Sequence, residues 1–222
     1  MTPETLFSAS LMVHILSGSF GLLTGTAVLL LPKGNRLHKT FGKGFVAGLG
    51  VAGISGILLS FIHPNLFLFC IAVFSLYLIL SGYRLASRKQ TGNFSVFDKL
   101  LSVSMALTGL IMLAMGVINL SKGNLMGLVL CVFSGIALNM VWHERNFIFS
   151  SNAETSNPSI SYSWVPLHLQ RTIGGYIAAL TAFLVVNAKY VPFSFPGWMF
   201  WLLPTIVLTP LIFYWSKKYS PK

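Results

Sequence analysis

The sequence predicts an all-α fold, a polytopic membrane helical bundle of about seven transmembrane helices forming a single domain over residues 1–222. Hydrophobic residues make up 55% of the chain and charged residues 9%, with a mean hydropathy of +0.76, which leaves too little polar surface to cover a globule in water. The apolar residues gather into seven runs, each close to the roughly 20 residues a helix needs to cross a bilayer. The charged residues collect in the short segments between those runs.

The first run, about 7–31, is far longer than a signal-peptide core and no A-x-A site follows it, so it is expected to stay in the mature protein. Pro32-Lys33-Gly34-Asn35 breaks it from the second, 39–62, which His63-Pro64-Asn65 closes. The third run, 66–83, ends ahead of the Thr91-Gly92-Asn93 turn, and the fourth, 97–120, at Lys122-Gly123-Asn124. The fifth covers 124–142. A Ser/Asn-rich stretch, 144–165, follows as the longest loop, and the sixth run takes 166–187. The seventh, 197–215, comes after a turn at Pro192 to Gly197, and Pro204 and Pro210 predict that it is kinked. It contains no mid-helix lysine, which removes a retinal Schiff-base reading of seven helices.

Only four acidic residues, Glu4, Asp98, Glu144 and Glu154, stand against fifteen lysines and arginines. Such a balance suits nucleic acid, but the placement of the charges points to topology instead, so the bilayer and not nucleic acid is the expected partner. Thirteen of the fifteen basic residues fall on one side of the alternating spans and only Lys122 and Lys189 on the other. The excess of positive charge on cytoplasmic loops then predicts the N-terminus outside, the C-terminus inside and the 144–165 loop in the cytoplasm. Cys70 and Cys131 lie in separate apolar runs, with no second thiol nearby to suggest a disulfide or a cysteine metal site.

Five histidines carry the chemical signal, because an imidazole in or beside hydrocarbon needs a partner. His38 opens the second run, His143 closes the fifth and His168 opens the sixth, so all three are expected at one depth near the cytoplasmic face and are expected to converge. His14 lies some 25 Å from the inner end of its helix at 1.5 Å per residue, where Asn119, Asn187 and Thr181 are the polar partners expected at comparable depth on other helices, and His63 reads as a polar turn residue. Gly18, Gly21 and Gly25 follow His14 at offsets of four, seven and eleven, on the histidine's own helical face. Gly42, Gly53 and Gly56 stand below His38, and Gly175, Ala179 and Ala182 below His168. Such small-residue stripes suit helix-on-helix packing and equally suit a flat macrocycle. Arg36, Arg145 and Arg171 surround the histidine trio, and Arg171, one turn below His168, calls for an anionic partner: Glu144, a lipid phosphate or a haem propionate.

The motifs "HILSG", "RLHKTFGKGF" and "HLQRTIGGYIAALTAFLVVN" resemble a family of predicted bacterial membrane proteins of unassigned function, with the likeness closest to its Bacteroidetes members and covering most of the chain. The resemblance implies a multi-pass protein of the bacterial inner membrane. The first two runs also look like the opening helices of cytochrome b561-type proteins, although those place histidine pairs inside four core helices, and runs three, four and seven here contain none.

Three readings follow. In the first, two of His38, His143 and His168 ligate the iron of a haem b, Arg36, Arg145 or Arg171 meets its propionates, His14 serves as a further cofactor residue, and an electron donor or quinone is the partner. In the second, the same three histidines hold zinc or non-haem iron and Glu144 is the catalytic general base of an enzyme acting on a lipid or small substrate. In the third, the chain is a small-molecule carrier without a prosthetic group.

Overall fold

A computed structural model describes residues 2–88, 94–148, 164–190 and 196–219. Seven long helices make up the described chain: α1 Pro3–Leu30, α2 Arg36–Ile62, α3 Leu66–Arg88, α4 Val96–Ser121, α5 Met126–Ile148, α6 Trp164–Asn187 and α7 Gly197–Tyr219, with a short 3-10 turn, Ala188–Tyr190, after α6. All seven are long and apolar enough to cross a membrane, and no strand occurs among the described residues.

Local chemistry starts and stops the helices where the breakers predict. Thr2 accepts a hydrogen bond from the Thr5 amide at the head of α1, ahead of Pro3 at the first helical position. Asn35 accepts from the His38 amide at 2.7 Å, Asn65 from Leu68 at 3.1 Å and Asn124 from Met126 at 3.0 Å, so three of the turns also supply the next helix cap. Gly34 and Gly123 sit at φ +83° and +74°, a conformation open to glycine, which lets these turns close. The Lys33 ammonium donates to the carbonyls of Val28, Leu29 and Leu31 at the end of α1 and lies 4.0 Å from the centre of the Trp215 ring. Burial there holds its pKa below the ordinary lysine value.

Two differences from the expected boundaries matter. The first is small: α1 and α2 each begin some three or four residues earlier than their apolar runs. The second moves a site residue. Helix α5 continues to Ile148, so Glu144 and Arg145 are helical and do not belong to the loop expected at 144–165; residues 149–163 of that loop lie outside the described residues.

Helices α1 and α2, α2 and α3, and α4 and α5 pack antiparallel, as pairs of contacts show. Gly21 faces Leu49 while Gly25 faces Phe45, Gly53 faces Leu76 while Gly56 faces Ala72, and Gly109 faces Leu138 while Gly116 faces Cys131. Helix α3 is central, packing on α2, α4 and α6, and shares a core of Phe74, Tyr77, Met105, Ala137 and Met140 with α4 and α5. Helix α7 closes the bundle, with Leu208, Ile212 and Trp215 against α6 and Trp201 against Phe67 and Phe133. Alternation gathers the C-terminal ends of α1, α3, α5 and α7 with the N-terminal ends of α2, α4 and α6. Among the described residues, that half of the bundle holds every lysine and arginine except Lys122 and Lys189. Outward faces are apolar, with Leu23, Leu30, Ile54 and Val186 among the most exposed side chains.

Candidate functional site

In the basic half of the bundle a carboxylate is buried among four helices. Glu144 falls on the inner stripe of α5 that runs Phe133, Ala137, Met140, Glu144, Ile148, spaced by three and four residues and buried throughout. It is 1% exposed. Tyr77 of α3 donates its hydroxyl to Glu144 Oε1 at 2.7 Å, and Ser102 of α4 donates to the same oxygen at 2.8 Å. Arg171 of α6, 3% exposed, donates through Nη2 to Oε2. The carboxylate therefore has partners from all three facing helices, which is what a charge excluded from water requires.

A second charge cluster lies nearer the end of the bundle. Arg84 donates to both oxygens of Asp98, from Nε at 2.5 Å and Nη2 at 2.9 Å, and Arg88 donates to Oδ2 at 2.6 Å. The Ser95 amide and hydroxyl also donate to Oδ2, each at 2.8 Å, so Asp98 caps the head of α4 while it is shared by two α3 arginines. Tyr77, Ser81, Arg84 and Arg88 recur at three- and four-residue intervals on α3, and Asp98 and Ser102 one turn apart on α4. One face of each helix thus serves both clusters. Between them is a cleft lined by Ser81, Leu85, Phe94 and Ile148 together with the charged groups. Its free space of about 10 Å³ takes one water-sized group.

The histidines are distributed differently from the expectation of convergence. His143, next to Glu144 but about 100° around α5, is exposed. His38 and His168 are close enough at the basic end for their charges to interact. His168 donates from Nδ1 to the Gly82 carbonyl at 3.0 Å, and His38 Nδ1 is buried with no hydrogen-bond partner. No group of three His, Cys, Asp or Glu side chains that could hold a metal ion occurs among the described residues. Arg36 is exposed at the head of α2, and Arg145 lies over the Trp142 ring at 3.4 Å. Helix packing occupies the small-residue stripes at most of their positions: Leu49 fills the space over Gly21, Phe45 and Tyr176 that over Gly25, Leu76 that over Gly53 and Ile79 that over Gly175.

His14 finds its nearest partner in the backbone of α2, with the Ser55 hydroxyl also within reach of Nδ1 at 3.4 Å. Its Nδ1 donates to the Ala52 carbonyl of α2 at 2.8 Å, with its ring against Gly56. His14→Ala should lower the unfolding midpoint, in keeping with roughly 0.6–1.7 kcal/mol for hydrogen bonds between membrane helices. The exposed His63, edge-on to the Phe7 ring at 4.3 Å, should tolerate alanine with a smaller change, and equal effects at the two positions would remove the interhelical role of His14.

Sequence reasoning singled out Glu144 and Arg171 but not Tyr77, Ser102, Asp98, Arg84 or Arg88 as their surroundings. The signal lies in the three- and four-residue spacing of Tyr77, Ser81, Arg84 and Arg88 down one face of α3. No family model, curated protein or solved structure matches the chain.

Proposed function

We propose that the protein is a multi-pass protein of the bacterial inner membrane and that the Glu144–Arg171 centre is the working site of a small-molecule carrier. The observation that carries this reading is a fully buried ion pair, joined by Tyr77 and Ser102, within spans apolar enough for a bilayer. Ionisable groups at such positions are costly and mark solute or proton paths in membrane proteins. The pair offers two alternative arrangements. With Glu144 ionised, it holds α5 to α6. A proton taken up on Glu144, or a solute taking its place on Arg171, releases that hold and favours separation of the helices.

Solid-supported-membrane currents test this. Proteoliposomes are challenged in turn with anionic, cationic and zwitterionic solutes. At least one class should evoke a current that a Glu144→Gln/Arg171→Met double variant lacks, and silence to all three would remove the carrier reading.

Orientation follows from the charge asymmetry. A periplasmic reporter fused after the C-terminus should be inactive and one inserted at Lys122 active; the reverse pattern would invert the assignment.

A haem b or metal reading has one observation in its favour. His168 is oriented by the Gly82 carbonyl with Nε2 left over, as ligating imidazoles are, and His38 stands nearby. The filled glycine stripes do not fit a macrocycle lying against them, so such a group requires the helices to part. An optical spectrum with a Soret band, or zinc or iron by elemental analysis, would support it; protein lacking both after expression with haem and metals supplied would end it.

A further inference from the structure

The Arg171 guanidinium, in the lining of the cleft, has one donor paired with Glu144 and another without a partner. Oε1 of Glu144 is held by Tyr77 and Ser102, so a single oxygen remains for Arg171. Arg171 Nε, on a side chain 3% exposed, is buried and has no hydrogen-bond partner. A guanidinium presents its N–H groups in a rigid plane suited to oxyanions, and a buried donor left unmet is unfavourable enough that an acceptor is expected there. The cleft that Arg171 lines also holds Arg84 and Arg88, which are 30% and 25% exposed and mark its open side. Both of these share one carboxylate, Asp98. Three guanidiniums thus face two carboxylates, and the lining is left with one uncompensated positive charge.

We propose that this cleft binds a singly charged oxyanion, a carboxylate or a phosphodiester, with one oxygen on Arg171 Nε and the rest of the ligand toward Arg84 and Arg88. The free space admits one oxygen-sized group, so the bulk of the ligand stays at the open side. Leu85, Phe94 and Ile148 supply apolar wall there. The inference rests on the carrier reading for its setting and names the ligand of that same site. A free carboxylate and an anionic phospholipid headgroup share the required chemistry.

The test uses the full chain in phosphatidylcholine nanodiscs, with the thermal midpoint followed as sodium acetate replaces sodium chloride at constant ionic strength. Acetate should raise the midpoint saturably. Arg88→Gln, at the open side, should weaken the acetate effect roughly tenfold, about one hydrogen-bonded charge contact, and the Glu144→Gln/Arg171→Met double variant should abolish it. A second set of nanodiscs contains phosphatidylglycerol. If that lipid raises the midpoint and acetate then adds nothing, the occupant is the headgroup; if acetate keeps its full effect, the occupant is a free solute. No response to either anion, or an equal response to chloride, overturns the proposal. Acetate binding with no solute-driven current leaves the site standing and removes the carrier reading, whereas a cation-driven current with no anion binding does the opposite.

Discussion

Glu144→Gln or Arg171→Met alone should destabilise the protein by ~3–5 kcal/mol, because each leaves one charge buried without its partner. The double variant Glu144→Leu/Arg171→Met should recover part of the loss, since apolar residues of similar volume replace a buried pair at little cost while the buried Tyr77 and Ser102 hydroxyls lose their acceptor. Both residues are almost completely buried, so solvent cannot take over the role of the missing partner. Tyr77→Phe should cost less, about 1.5–3 kcal/mol, the range for a hydrogen bond to a charged group. Unfolding midpoints in one detergent provide the comparison. A neutral single variant would mean that water reaches the pair, and a double variant worse than either single would mean that Glu144 and Arg171 do not act on each other. The carrier reading adds that the recovered double variant should fold and yet evoke no current, which separates a structural role from a working one.

Much of the bundle is legible because its signals are local. Seven apolar runs give seven helices, and the turns at 32–35, 63–65 and 122–124 fall between them because capping and positive φ are decided by neighbours in sequence; the turn expected at 91–93 and most of that expected at 192–197 lie outside the described residues. The end of α5 is different. His143, Glu144, Arg145 and Asn146 read together as a polar helix end, but Ile148 continues the buried stripe that began at Phe133, so the helix passes through them. That same periodicity separates Glu144, turned inward, from His143, turned out. The histidines drew attention because imidazoles are rare in apolar runs. The centre is instead completed by a tyrosine and a serine, common in helices, whose meeting with Glu144 depends on helices 42 and 67 residues away along the chain. His14 was expected to seek Asn119, Asn187 or Thr181. It meets the Ala52 carbonyl at 2.8 Å, where Gly56 leaves room for the ring, with the Ser55 hydroxyl more distant at 3.4 Å; a backbone partner is one that no side-chain inventory contains.

A close approach of α1 and α2 supplies the second large effect. Gly48 of α2 packs on the backbone of α1: a methyl group at its Cβ position would stand 2.7 Å from Gly21 N, 2.8 Å from Gly21 Cα and 2.8 Å from the Ser17 carbonyl oxygen. Backbone cannot rotate away as a side chain can, so Gly48→Ala must push α1 from α2 along the interface that also seats Gly21 on Leu49 and His14 on Ala52. The expected loss is about 1–3 kcal/mol, the range for overpacking, and Gly48→Leu should exceed it. Gly42, on the same helix, has nothing within 4 Å of its Cβ position; Gly42→Ala removes a flexible residue from a helix interior and should be neutral or stabilising by up to ~1 kcal/mol. Unfolding midpoints of the two alanine variants, with a cross-link between cysteines introduced at Gly18 and Ala52, whose Cβ positions lie 3.8 Å apart, as a gauge of helix approach, decide the matter. Gly48→Ala should lower both the midpoint and the cross-linking yield, and Gly42→Ala should change neither downward. A Gly48→Ala variant that melts and cross-links like the parent would show that α1 and α2 do not approach at this glycine.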